Sequence, residues 1–518
     1  MKKRILQSLA GCFLAVAISA CCDDDSTLAS KDYADIEIAA LKDTTVVSYS
    51  DVILEITPEV KTTYSEDQLE YAWYMYDPKE ASGLDAVFEN SYREYKVCEG
   101  KTLSYEVNLP SGSYVFIFEA KSKTDGYTRT TTMKVAVSTD FSRGFYILKE
   151  TADGTTELDL YTREKGLNAD LLSKMWGAPL EGLPANLAVT YRQVYVDEST
   201  LNTANTNMLH IFTDKDYRGL RTEDLNTIFD RSSLCFEALG DDEVPYTLGT
   251  TLMQTMFFSS KGVAATTNGG MTFSYSTGKF GMATGNGGSR YVVDLLMNLV
   301  YWNNAEHHLY SVDMNAATAL PMEYDVRDLH EERLECIASG LNYMGGKATG
   351  WFVCEDNEEG TRWLYLLEEE SSGFSLPPVR EVRRLDASLH IASGSCVAGN
   401  ALSATVIYSI HNNKLYAYNW NTGSESEITL PGIGSGETLA YVSNQFLNKS
   451  EIFDNLVVAT HQNGRYKIYF YDSMVGGAPD RQTDRIAEGS GKVKSVRYVT
   501  SGSAIPGMAV KPMFPWCD

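Results

Sequence analysis

The sequence predicts an all-β protein, a β-sandwich followed by a β-propeller-like domain of about seven repeating units. Three observations carry this expectation. Short alternating runs rich in Tyr, Val, Ile and Phe are punctuated by Gly, Asn, Asp and Pro from residue 35 onward, which is the signature of strands joined by turns. Within 35–140 these turns close hairpins without a fixed period. From 141 a Leu/Ile-Tyr pair returns about every fifty residues, and self-similarity at that spacing marks a repeat architecture.

The chain opens with Lys2, Lys3 and Arg4, continues through the mostly apolar stretch Ile5–Ala17, and brings small residues, Ile18-Ser19-Ala20, up to Cys21. This arrangement resembles the lipobox of a bacterial lipoprotein. The resemblance implies a signal peptide over 1–20, acyl chains such as palmitate on Cys21, and a lipidated tether over 21–34. Several acyl chains together hold a domain on a membrane durably, at about 0.8 kcal/mol per buried methylene. The run Asp23-Asp24-Asp25 resembles the acidic export signal of surface lipoproteins of Bacteroidota. It implies an outer-membrane protein facing the cell exterior.

Bulk properties agree with an exported, multidomain chain. The 518 residues carry a net charge of −25, or −28 once Lys2, Lys3 and Arg4 are removed. Such a balance repels phosphate backbones, which argues against a nucleic-acid partner. It also gives no attraction to an anionic bilayer, so the expected anchor is covalent. Beyond the leader no apolar run approaches the roughly 18 residues of a membrane span. Besides Cys12 and Cys21, seven cysteines remain: Cys22, Cys98, Cys235, Cys336, Cys354, Cys396 and Cys517. They are scattered, odd in number and without CxxC spacing. One bridge is compatible with an oxidising compartment, while isolated buried thiols are expected for most.

Within 35–140, Glu70–Tyr76 alternates around Tyr71 and Trp73, and Leu103–Leu109 places apolar residues at every second position before Pro110-Ser111-Gly112 breaks it. Tyr114–Ala120 and, after Thr124-Asp125-Gly126, Thr130–Val137 complete a hairpin-rich segment. With its central tryptophan it resembles an immunoglobulin-like sandwich, specifically the PKD-like domain of Bacteroidota lipoproteins. Trp73 and Tyr114 are expected in the core between the sheets.

From 141 to 518 the pairs Leu160-Tyr161, Leu309-Tyr310, Leu364-Tyr365, Leu415-Tyr416 and Ile468-Tyr469 mark the repeat. The last four tyrosines are 55, 51 and 53 residues apart, and Tyr161 lies 149 before Tyr310. Each pair follows a strand and a polar turn: Asp153-Gly154, Asn303-Asn304, Asp356–Gly360, Asn412-Asn413 and Asn463-Gly464, hairpin connections by type. Two less regular units fill the gap, Met208–Arg221 with its turn at Asp214-Lys215-Asp216, and Met256–Tyr275 with its turn at Asn268-Gly269-Gly270. Seven units of this size fit a propeller of small antiparallel sheets, and six or eight remain compatible. Two consecutive sandwiches would need no period. Ala169–Trp176 and Asp224–Phe229 read as short helices.

Motifs for chemistry are sparse. Gly432-Ile433-Gly434-Ser435-Gly436 has glycine where a GxSxG elbow needs serine, Gly278–Gly281 lacks phosphate-loop spacing, and Gly285–Ser289 stands in no βαβ unit. His307 and His308 are adjacent, so a strand would point them to opposite faces. His330-Glu331-Glu332 has no second histidine four residues on. Asp241–Glu243 and Asp356–Gly360 offer oxygen ligands without EF-hand alternation. No metal site and no cofactor are expected. The candidate ligand contacts are Trp176, Trp302, Trp420 and Trp516, which sit beside turn residues where a ring could stack on a sugar or receive a peptide side chain.

Taken together, leader, sandwich and tyrosine-rich repeat resemble the PKD-like family lipoproteins of gut Bacteroidota. The resemblance implies a non-catalytic accessory to a SusC/SusD-type TonB-dependent importer, capturing or presenting a peptide or glycan. The alternatives from the residues themselves are a propeller enzyme cleaving glycan or peptide with a hidden carboxylate pair, and a surface adhesin or scaffold.

Overall fold

The computed structural model describes residues 35–48, 53–78, 91–109, 112–197, 201–251, 255–266, 277–295, 297–313, 318–327, 329–344, 348–368, 378–448, 452–473 and 476–500. The leader, Cys21, Asp23, Asp24, Asp25, the tether and Trp516 lie outside them. The chain is all-β and divides into two compact units that change over between Ala136 and Val137, with Val47–Ser48 and Val107–Leu109 grouped with the second. Among the described residues no helix is long and apolar enough to cross a membrane.

In the first unit a five-stranded sheet runs in the order Thr44–Val47, Thr128–Ser138, Gly112–Ser122, Leu69–Tyr76, Lys96–Glu99. Ile53–Ile56 pairs with Leu103–Glu106, and Ile36–Ile38 with Val60–Thr62. The Tyr105 ring meets Phe116 edge-on at 5.7 Å, so the short pair packs on the large sheet as a sandwich requires. Trp73 is fully buried beside Phe118, its indole N–H donating to the Lys101 carbonyl, and Tyr114 is buried as expected. The strand expected over Leu103–Leu109 ends at Glu106.

The second unit holds seven four-stranded sheets among its described residues. Numbered along the chain, the second sheet comprises Pro184–Asp197, Asn202–Thr213, Tyr217–Arg221 and Thr227–Asp230, and the third Pro245–Thr250, Thr255–Ser259, Gly262–Ala265 and Met282–Gly285. The fourth comprises Val292–Asp294, Asn298–Asn303, His308–Asp313 and Leu320–Pro321, and the fifth Leu334–Asn342, Thr349–Asp356, Arg362–Leu367 and Val379–Arg384. The sixth comprises Ser395–Gly399, Val406–His411, Lys414–Asn419 and Ser424–Ile428, and the seventh Thr438–Asn448, Ile452–Gln462, Arg465–Ser473 and Pro479–Ser490. The first is completed from both ends of the unit: Gly144–Glu150, Thr156–Thr162 and Gly166–Asn168 are joined by Lys492–Val499 as their inner strand.

These inner strands touch in cyclic order, each meeting the next, and Lys492–Val499 meets both Thr438–Asn448 and Pro184–Asp197. The unit is therefore a closed, propeller-like ring, which leaves no sheet face unpartnered along its circumference. Small residues permit the crowding. The Trp351 indole lies against Gly340 and Gly399 on two neighbouring inner strands, and a Cβ at either glycine would overlap it.

The repeat tyrosines are equivalent. Tyr161, Tyr310, Tyr365, Tyr416 and Tyr469 each occupy the third strand counted from the inside of their sheet. All but the half-buried Tyr310 are buried. Asn412 and Asn413 both take positive φ, as do Asn463 and Gly464, which is what two-residue hairpins with right-handed twist require.

Two expectations need correction. Asp224–Phe229 is no helix: Asp224 Oδ1 accepts the Asn226 amide at 3.1 Å and Leu225 takes a φ of 56°, a turn that feeds the strand Thr227–Asp230. The hairpin of the third sheet turns at Ser260-Lys261, and Asn268–Gly270 lies outside the described residues. Cys336 and Cys354 are direct cross-strand partners, both buried and both free thiols, as expected for most of the cysteines. The helix expected at Ala169–Trp176 is present over Leu171–Trp176, stopped by Gly177 at a φ of 80°.

Candidate functional site: the axial cavity

Where the inner strands converge they enclose a cavity of about 650 Å³. Its wall is built from Ala185, Asn186 and Ala188–Thr190 of the second sheet, Thr247, Leu248 and Thr250 of the third, Val292–Asp294 of the fourth with Arg290 and Tyr291 just before it, Ile337–Leu341 of the fifth, Ser395–Val397 of the sixth, and Lys494 and Arg497 of the first. Clefts of this size commonly hold ligands of a few hundred daltons.

One backbone device recurs around the wall. In six of the seven sheets the register between the inner strand and its neighbour slips by a residue or more near the start of the inner strand. Lys494, Ala185, Tyr246, Ile337, Cys396-Val397 and Ala440 are the residues left without a cross-strand partner. A bulge of this kind breaks the alternation of the strand and re-aims a side chain. The bulged Ala185, Ile337, Cys396, Val397 and Lys494 all line the cavity. Lys494 is the only charged residue among the bulged positions, and it is exposed.

The charges of the cavity run against those of the chain. Arg290, Arg362, Lys494 and Arg497 face Asp294 and Glu355, an excess of two positive charges in a protein of net −25. Several of these groups are occupied. Arg362 donates Nε to Glu355 at 2.7 Å and Nη1 to the carbonyls of Ile391 and Gly394. Asp294 accepts the backbone N–H and the hydroxyl of Thr250, both at 3.1 Å, tying the third sheet to the fourth. Arg497 reaches the Leu187 carbonyl, tying the first sheet to the second. Burial pushes the Tyr291 hydroxyl up to about 12, so it stays neutral. Among the described residues Lys494 and Arg290 have no carboxylate partner; Arg290 lies over the Tyr246 ring at 5.2 Å.

The expected ligand contacts are elsewhere. Trp302 is fully buried, edge-on to Tyr365 at 5.7 Å between the fourth and fifth sheets. Trp420 is buried with Trp351 and Ile407, its carbonyl accepting from Arg383. Neither offers a face to a ligand; both serve packing, because each sits where two sheets stack. Trp176 ends the short helix, 37% exposed, away from the cavity.

The histidines and acidic runs take structural roles. His308 Nδ1 stands 2.7 Å from Glu331 and Nε2 2.7 Å from the Met322 carbonyl, and His307 Nδ1 contacts the Leu334 carbonyl. Asp356 accepts the amides of Glu358 and Glu359 and closes its turn, while Glu243 accepts the Ser259 hydroxyl. Among the described residues no group of three or more His, Cys, Asp or Glu is placed to hold a metal ion.

Sequence reasoning missed Lys494 and Arg290. Neither lies in a repeat motif, and a bulge leaves no compositional trace. A signal was available for the carboxylates that hold the repeat tyrosines: Glu331 and Glu437 stand 34 and 32 residues ahead of Tyr365 and Tyr469, just before an inner strand.

Residues 21–184 match the model of the PKD-like family. No curated protein matches the chain. Among solved structures it is similar to a quinonprotein alcohol dehydrogenase-like protein from Bacteroides thetaiotaomicron VPI-5482, at 13% identity over 90% of this chain and 100% of that one, with a TM-score of 0.47. The dihydro-heme d1 dehydrogenase NirN in complex with DHE aligns at 8% identity over 69% and 75% of the two chains, TM-score 0.36. A post-proline cleaving enzyme from Rickettsia typhi aligns at 10% over 69% and 46%, TM-score 0.23. At these scores none of them bears on the chemistry of the cavity.

Proposed function

We propose that this chain, whose residues 21–184 match the PKD-like family, is a ligand-capturing lipoprotein of the cell surface. In this reading its second unit is a seven-bladed propeller whose axial cavity binds a peptide or glycan fragment for delivery to an outer-membrane importer of the SusC/SusD type. The observation that carries the reading is the cavity itself, walled by six inner strands with side chains re-aimed into it by bulges. Binding is favoured over cleavage because both carboxylates of the cavity are engaged, Glu355 by Arg362 and Asp294 by Thr250. A glycosidase-type mechanism needs two carboxyl groups to act as acid and as base or nucleophile.

Membrane location is supported by the lipobox residues. Acyl chains on Cys21 would anchor a protein whose charge gives no membrane attraction, and a tethered binder raises ligand concentration beside an importer without catalysis.

The test combines three measurements. The purified mature chain, incubated with oligosaccharide and oligopeptide pools, retains ligand and yields no new products by mass spectrometry. Cys21→Ala releases the protein from the membrane fraction, and protease on intact cells degrades the wild type but spares a variant with Ala at 23, 24 and 25. The lipidated protein co-purifies with an importer complex. New products that vanish on mutation of Asp294 or Glu355 would replace the binding reading by the enzymatic one.

A further inference from the structure

We propose that the axial cavity selects small ligands bearing carboxylate groups, held between Lys494 on one wall and Arg290 on the other. The proposal rests on the cavity being a binding site, as above, and adds the chemistry of what it binds. Three observations carry it. The first is the bulge ring: at the position where other sheets present Ala185, Ile337 and Cys396-Val397, the first sheet presents an exposed lysine. The second is placement. In the cyclic order of inner strands the fourth sheet lies three steps from the first, so Arg290 and Lys494 stand on opposing walls. The third is charge: with Arg362, Asp294 and Glu355 occupied among themselves and their neighbours, these two cations remain without a carboxylate partner among the described residues.

A chain of net −25 repels anions at long range. An anion must therefore gain from close contacts, and two cations in a partly enclosed cavity supply charge-assisted hydrogen bonds that water screens less than at an open surface. The cavity volume fits about two or three sugar or amino-acid residues. The shared recognition chemistry is the carboxylate, whether of a uronic acid or of an acidic peptide.

Calorimetric titration of the full mature chain with digalacturonate and with the Glu-Glu dipeptide, against their neutral counterparts galactobiose and Gln-Gln, decides it. At least one acid is expected to bind about tenfold or more tightly than its neutral counterpart, with affinity falling as salt rises; which acid binds identifies the source. Lys494→Gln and Arg290→Gln each weaken that binding about tenfold, Lys494→Arg retains it, and Ser395→Trp, which fills the cavity from an exposed position, abolishes it. Neutral ligands that bind as well as the acids and are lost in Ser395→Trp overturn the carboxylate proposal and leave the cavity reading standing. Ligand binding indifferent to Ser395→Trp, or none from any pool, overturns both. Should a substitution unfold the chain, the wild type alone still decides the matter, through its preference for acid over neutral ligand and through the salt dependence of binding.

Discussion

Tyr469 donates its hydroxyl to Glu437, whose two carboxylate oxygens both stand 2.9 Å away. Two sheets earlier Tyr365 stands in the same relation to Glu331, at 3.0 Å. In each case a carboxylate just before an inner strand is satisfied by the repeat tyrosine of the third strand, so the tyrosine both fills the space between sheets and anchors the entry to the ring. Burial would raise the Glu437 carboxyl, but the hydrogen bonds from Thr460 and Tyr469 outweigh it and hold it below its ordinary value.

Tyr469→Phe and Tyr365→Phe should each cost about 1.5–3 kcal/mol, the range for a hydrogen bond to a charged group. Tyr416, whose ring stacks on His390 at 3.7 Å and whose hydroxyl has no hydrogen bond among the described residues, serves as control. Its change to Phe should stay within about 0.5 kcal/mol. Urea denaturation measures all three, and equal costs at the three positions would refute the pairing.

His308 and His210 should answer pH with opposite signs. Burial opposes charge on His308, yet Glu331 and the Met322 carbonyl outweigh it and raise its pKa. Its stabilisation is complete below the unfolded value of about 6.5 and is lost as pH climbs through the folded one. Burial lowers His210 to about 3, with Thr190 and Tyr217 on its ring nitrogens. There the unfolded chain takes the proton first, so stability drops as pH falls below about 6.5. Proton NMR of the imidazoles should show His308 titrating above its ordinary value and His210 silent down to about pH 4.

Lys149 and Asp159 form a buried ion pair at 2.8 Å, joined by Asp170 at 2.8 Å and by the Tyr466 hydroxyl of the seventh sheet at 2.5 Å. Burial opposes the charge on Lys149, but the two carboxylates outweigh it and raise its pKa. Asp159→Ala should cost about 3–5 kcal/mol, while the double change Lys149→Met with Asp159→Leu should cost far less, because it removes both buried charges together. Thermal melts of both variants decide.

Ending the chain after Gly491 removes Lys492–Val499, the inner partner of Gly144–Glu150 and the strand that closes the ring. The outcome expected is a non-cooperative melt and rapid proteolysis at Gly144–Thr162. A truncated chain that melts as sharply as the full one would show that closure contributes little.

The all-β class, the period near fifty residues and the hairpin turns were legible because each is local. Alternation sets strand faces, and Asn-Asn or Asn-Gly at positive φ sets the turn. The repeat tyrosines were readable for the same reason. The fate of Trp302 and Trp420 was not, since a residue beside a turn is exposed or buried according to whether another sheet stacks on it. The helix expected at Asp224–Phe229 failed because an aspartate side chain can satisfy the backbone in a turn as readily as at a helix start.

The first sheet shows the division most clearly. From sequence alone Phe145–Leu148 and Leu160-Tyr161 form a hairpin; that their inner neighbour is Lys492–Val499, 342 residues from Glu150 to Lys492, follows only when the ring closes and leaves an edge to be paired. The site depends on the same step. Lys494 faces the axis because a bulge against Leu148-Lys149 shifts its register, and Arg290 stands opposite because two sheets intervene on one side of the ring and three on the other. Local sequence determines which segments are strands and where they turn; the packing of sheet on sheet, a property of contacts hundreds of residues apart, decides which side chains meet at the axis.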